Sequence, residues 1–278
     1  MSGLTDSAAQ AAILVACRTL GLPSIAAEAE RLAQQAERER HSYLAYLANA
    51  LGVEVDDRTT RRIARRISEA HFPRLKRLAD FDCAENGLVT SAQLAVLAAG
   101  AYLTHGEPVV LLGDSGTGKT HLLIGLGIAA CEAGLRVRYT TAAALVNELV
   151  EAADDRRLTR LLGQYARLDL VCLDELGYLQ LDSRGAELLF QVVTARDERA
   201  SIAVASNASF SEWGRFFTDA RLAAAVVDRL TFKAHIIETG TESYRLRATR
   251  ARPPRLAGKG QLRRGGAESD DHGGARSD

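Results

Sequence analysis

Gly113-Asp114-Ser115-Gly116-Thr117-Gly118-Lys119-Thr120 decides how the rest of this chain is read. The apolar run Pro108-Val109-Val110-Leu111-Leu112 precedes it and reads as a buried strand. Residues 121–131 follow, with apolar side chains recurring at helical spacing. Strand, glycine-rich loop and helix, in that order, give the pattern G-x-x-x-x-G-K-[ST] its structural meaning. Gly113, Gly116 and Gly118 let the backbone curl so that successive N–H groups face a phosphate chain. The positive end of the following helix adds to that field. Lys119 then supplies a point charge for the β- and γ-phosphates, and the Thr120 hydroxyl is placed to ligate Mg2+. All eight residues are candidate contacts of a nucleoside triphosphate. The alternative is a glycine-rich turn that binds nothing, and the flanking strand and helix speak against it.

Leu170-Val171-Cys172-Leu173-Asp174-Glu175 reads as the second half of the same site. Four apolar residues fix a strand inside a sheet, so Asp174 emerges at its carboxyl end beside the phosphate loop. There it can hold Mg2+, directly or through water. A carboxylate one step further on, Glu175, can polarise a water for in-line attack on the γ-phosphate. A kinase has no use for an activated water, so the pair favours hydrolysis over transfer. Ser206-Asn207 closes another predicted strand. Asn207 either reaches the γ-phosphate or its water, or caps the next turn. Arg229, in Val226-Val227-Asp228-Arg229-Leu230, is either a finger for a neighbour's γ-phosphate or half of a plain ion pair.

The chain of 278 residues has material for one or two domains, and its 35 Lys and Arg balance 35 Asp and Glu. Any contact with a polyanion must therefore come from a local patch. Cys17, Cys83, Cys131 and Cys172 lie far apart and form no C-x-x-C pair, which argues against zinc and a disulfide framework. No stretch approaches the ~20 apolar residues of a membrane span. The expected location is cytoplasmic.

Residues 7–70 read as helical: 7–20, 23–40, 43–51 and 56–70, with Gly52 expected to interrupt or kink the region. On the last helix Arg58, Arg61, Arg62, Arg65 and Arg66 recur at helical spacing, and Arg74, Lys76 and Arg77 follow. Such a field suits a phosphate backbone; a solvated face paired with acids is the alternative. Phe81 is either a core anchor or a border of the nucleotide base. Residues 91–103 read as a helix, and from 108 strands and helices alternate, which implies a parallel sheet covered on both faces. From Arg250 the composition is that of a disordered tail.

Taken together, residues 113–122, 173–179, 206–213, 223–230 and 242–247 resemble, in order, the IstB family of ATP-binding transposition helpers, relatives of the DnaC helicase loaders. The likeness extends through 61–82. It implies an α/β fold: an AAA+ P-loop NTPase core without a helical lid, behind a small all-α N-terminal domain. The expected division is 1–78, 79–249 and a tail over 250–278. By similarity, Asn207 is the sensor residue and Arg229 the trans-acting finger, with Arg245 a weaker candidate. The resemblance further implies Mg2+-dependent hydrolysis of ATP, assembly of a homo-oligomer on duplex DNA, and service to a transposase. It also points to Arg61, Arg62, Arg65 and Arg66 as DNA contacts. Asp114 departs from the family, which commonly has proline there, and Gly240-Thr241-Glu242 is one residue longer than usual. The alternative function is a loader for a replicative helicase, and, from another class, a nucleotide-gated binding module. The arginine-rich helix and the 209–213 stretch lean toward the transposition helper.

Overall fold

The computed structural model describes residues 5–178 and 180–243. Five strands, β1 (Val109–Leu112), β2 (Val137–Thr141), β3 (Leu170–Leu176), β4 (Ser201–Ser206) and β5 (His235–Glu238), form one parallel sheet in the order β2-β3-β4-β1-β5. Parallel neighbours need crossover helices, and these supply the two layers that cover the sheet. Side chains alternate across it. Val110, Leu112, Val171, Leu173, Ile202 and Val204 pack against α8 (Ala142–Asp154), α9 (Leu158–Ala166), α10 (Ser183–Arg196) and α11 (Ala220–Thr231). Val109, Leu111, Leu170, Cys172, Ala203 and Ala205 face α7 (Lys119–Glu132) and α5 (Ser91–Ala98). Among the described residues no helix follows β5. None is long and apolar enough to cross a membrane.

Three helices precede the sheet: α1 (Asp6–Leu20), α2 (Pro23–Arg38) and α3 (Tyr43–Glu69). The expected interruption at Gly52 is absent, for α3 runs unbroken through it over 27 residues. An interior glycine costs a helix only about 1 kcal/mol, and packing against α2 outweighs that. Glu54, two residues on, is buried and accepts hydrogen bonds from the backbone N–H groups of Ser24 (2.9 Å) and Ile25 (3.3 Å). A carboxylate of α3 thus satisfies the open amino end of α2, which begins with a proline and has no side-chain cap of its own. The reverse holds at 91–103. That segment divides into α5 and a short α6 (Ala101–His105), because Gly100 takes a left-handed φ of 74°.

A 3-10 turn (Leu78–Asp80) and a four-residue α4 (Cys83–Asn86) link α3 to α5. The link is seated on the sheet. Ala70 is fully buried, and its carbonyl accepts from Tyr139 N–H at 2.8 Å along edge strand β2. Phe72 packs on α7 at Gly127, where a Cβ would stand 2.6 Å from its ring.

Candidate functional site

The loop between β1 and α7 curls as its glycines require, with φ of 145° at Gly113, 88° at Gly116 and 105° at Gly118. A Cβ at Gly118 would lie 2.7 Å from the Phe81 ring, so a side chain there would collide with the wall of the site. Lys119 is 8% exposed, and its ammonium donates to the carbonyls of Gly113 (2.6 Å) and Asp114 (2.7 Å). Thr117 Oγ1 bonds the Asp114 carbonyl (2.8 Å) and pairs with Thr239 Oγ1 (2.6 Å), which ties the loop to the end of β5. The Asp114 amide donates to the Gly240 carbonyl at 2.9 Å, and Asp114 itself is exposed and outside the cavity lining. Proline has no N–H to donate. The departure at 114 and the longer run at 240 therefore meet in one hydrogen bond.

Strand β4 lies between β1 and β3, so the loop, Asn207 and the Asp174-Glu175 pair emerge side by side at one edge of the sheet. Asp174 is 3% exposed. Its Oδ2 accepts from the Tyr139 hydroxyl (2.7 Å) and its Oδ1 from the Glu175 amide (2.9 Å). The β3–β4 register shifts between Leu173 and Leu176, and Glu175 takes a left-handed φ of 61°. That backbone costs a non-glycine residue about 1–2 kcal/mol. It also breaks the strand's alternation: Asp174 stays buried while Glu175 turns out to the exposed side. Asn207 Oδ1 is buried without a hydrogen-bond partner, and a Cβ on Gly177 would sit 2.9 Å from it. Asn207 does not cap the next turn, since Ser209 and Glu212 form the box at its start.

These groups line one cavity of about 460 Å3, together with Ser115, Gly116, Thr117, Thr120, Phe81 and Tyr178. Phe81 is half-buried in the cavity wall and meets His121 edge-on at 5.5 Å. Burial holds the His121 imidazole below its ordinary value, and its Nε2 lies 2.9 Å from the Arg77 carbonyl. Arg74 and Lys76, grouped by sequence with the basic patch, also line this cavity. No sequence motif singles out Tyr139. Its one signal is its position in a short strand whose neighbour carries Asp174.

Other candidates lie elsewhere. Arg229 shares a second hollow with Pro108 and Ile202, at the amino ends of β1 and β4, opposite the phosphate loop. Its Nε is 3.5 Å from Asp197, and its guanidinium lies 4.9 Å over the Phe190 ring. Of the helical arginines, Arg61 bonds Ser24 Oγ (2.8 Å) and lies 3.5 Å from Asp57. Arg65 and Arg66 approach Glu69 at 3.7 Å and 3.5 Å. Arg62 is exposed beside Gly134. Arg245 and the tail from Arg250 lie outside the described residues.

The donor set fits a hard divalent cation: a Thr hydroxyl and one carboxylate, in a cavity with room for phosphate oxygens. Among the described residues no three His, Cys, Asp or Glu side chains converge into a metal cage. An Mg2+ held through one carboxylate and a nucleotide needs none.

Residues 15–252 match the family model described as IstB-like ATP binding protein. The chain belongs to that family. A putative insertion sequence ATP-binding protein of Sinorhizobium fredii is 35% identical over 89% of this chain and 84% of its own length. The insertion sequence IS21 putative ATP-binding protein of Pseudomonas aeruginosa is 37% identical over 80% of this chain and 83% of its own. Among solved structures, AMPPCP-bound DnaA from Aquifex aeolicus superposes with a TM-score of 0.50 at 22% identity, covering 61% of this chain and 51% of that one. That likeness concerns the fold, an AAA+ P-loop core.

Proposed function

We propose that this IstB-family chain binds and hydrolyses ATP with Mg2+, assembles on duplex DNA as a homo-oligomer, and regulates a transposase. The observation that carries the catalytic part is the bulged end of β3. It costs backbone strain to turn Glu175 out beside a phosphate loop while Asp174 stays buried. In this reading the amides of residues 113–118 and Lys119 hold the phosphates, and Thr120 and Asp174 hold Mg2+. Bound there, the cation neutralises charge on the phosphate oxygens. Glu175 takes a proton from the attacking water, and the buried, unpartnered Asn207 amide oxygen accepts from that water while its NH2 group can donate to the γ-phosphate. Arg229 faces away from its own chain's loop, which supports a role toward a neighbour's nucleotide. To act there it must exchange Asp197 for that partner.

The proposed division assigns 79–249 to the ATPase and 1–78, with Arg61, Arg62, Arg65 and Arg66, to DNA and partner contacts. The transposase part is supported by the relatives, which are insertion sequence ATP-binding proteins. Light scattering with ATP and Mg2+, with and without duplex DNA, tests the assembly. Growth in mass that needs both ATP and DNA is expected, and a mass indifferent to ATP counts against the linkage of nucleotide and oligomer.

A further inference from the structure

Tyr139 stands on edge strand β2, one strand from the site, and nothing in the loop or acidic motifs includes it. Its hydroxyl donates to Asp174 Oδ2 at 2.7 Å, while Oδ1 of the same carboxylate takes the Glu175 amide. Both bonds fix the rotation of a carboxylate that is 3% exposed, and each oxygen keeps a lone pair for another partner. The ring is held in turn. Its backbone N–H donates to the Ala70 carbonyl at 2.8 Å, and Phe72 lies 6.1 Å from it at 57°. Ala70 and Phe72 directly follow α3.

We propose that Tyr139 is a positioning residue for the metal-binding carboxylate Asp174, and that it ties that carboxylate to the end of α3. The inference rests on Asp174 holding Mg2+, as proposed above. A carboxylate oriented by an outer hydrogen bond binds its metal better than one free to rotate. A shift of α3 therefore reaches the metal site through one backbone bond, one ring and one hydroxyl. The helical N-terminal region would thus act on nucleotide binding without touching the nucleotide.

The test compares the affinity for AMPPCP in EDTA with that in Mg2+, by calorimetry, for the full chain and its variants. The unaltered protein should gain affinity on adding Mg2+; if it does not, the metal reading fails and the role of Tyr139 fails with it. Tyr139→Phe keeps the ring and removes one oxygen. It should leave the affinity in EDTA unchanged and cut the gain from Mg2+ about tenfold. A purely structural role would lower both affinities together or neither. An undiminished Mg2+ gain in folded Tyr139→Phe overturns the positioning. Phe72→Leu, which loosens the ring but keeps the hydroxyl, should also reduce the Mg2+ gain. Should Tyr139→Phe not fold, Phe72→Leu decides alone, and an unchanged gain there overturns the tie to α3.

Discussion

Lys119 and Asp174 at the sheet edge and the arginines of α3 are set in opposite ways. At the sheet edge they are sunk: Lys119 is 8% and Asp174 3% exposed, each fixed by two hydrogen bonds. On α3 they are spread over the surface, with Arg61 and Arg65 side chains 54% and 67% exposed and paired mostly within a helical turn. Burying a charge is costly unless every partner is supplied, so a fold that does so twice in one cavity has committed that cavity to one ligand class. Exposed pairs on a helix are worth ~0.3–0.5 kcal/mol each and leave the arginines free to exchange an internal acid for a phosphate. Commitment on one side, exchangeability on the other, is what the proposed ATP-dependent assembly on DNA requires.

Breaking the committed side should have the larger effects. Lys119→Ala removes a buried ammonium that the Gly113 and Asp114 carbonyls hold in the loop, and should weaken ATP binding roughly a hundredfold. ATP-dependent assembly, followed by sedimentation, should be lost with it; assembly that persists in the variant would separate the two regions. Arg229→Ala should spare ATP binding and slow hydrolysis in the oligomer by about 10^3. Mixing it with the Lys119 variant should restore part of the turnover, whereas no recovery returns Arg229 to the ion pair with Asp197 and the stack on Phe190. The smallest effects belong to α3. Arg61→Ala with Arg65→Ala should lower the salt slope of duplex binding by about 2 while costing under about 1 kcal/mol in stability. An unchanged slope with reduced stability would make that face a solvated one.

How much could be read beforehand follows the same division. The loop and the 170–175 strand are local patterns in which neighbouring residues specify each other's conformation, and they stand where the sequence places them. The bulge at Asp174-Glu175 was hidden, because a register shift is a property of two strands rather than of one. Tyr139 was hidden for the same reason, since its partner is 35 positions away. Gly52 misled because propensity predicts a break, while the buried Glu54 holds α3 against α2. Charge alone groups Arg74 and Lys76 with the α3 arginines, and only the turn after α3 brings them to the cavity beside the phosphate loop. The chain's parallel sheet and its helical beginning were legible; the contacts between them were not.

In the proposed mechanism hydrolysis depends above all on Glu175 activating water at a site that holds ATP without it. Single-turnover hydrolysis by Glu175→Gln, with ATP binding measured on the same sample, addresses this directly. Binding should stay within about threefold of the unaltered protein, and the chemical step should slow by about 10^2–10^4. Hydrolysis at the unaltered rate, with ATP still bound, would contradict it.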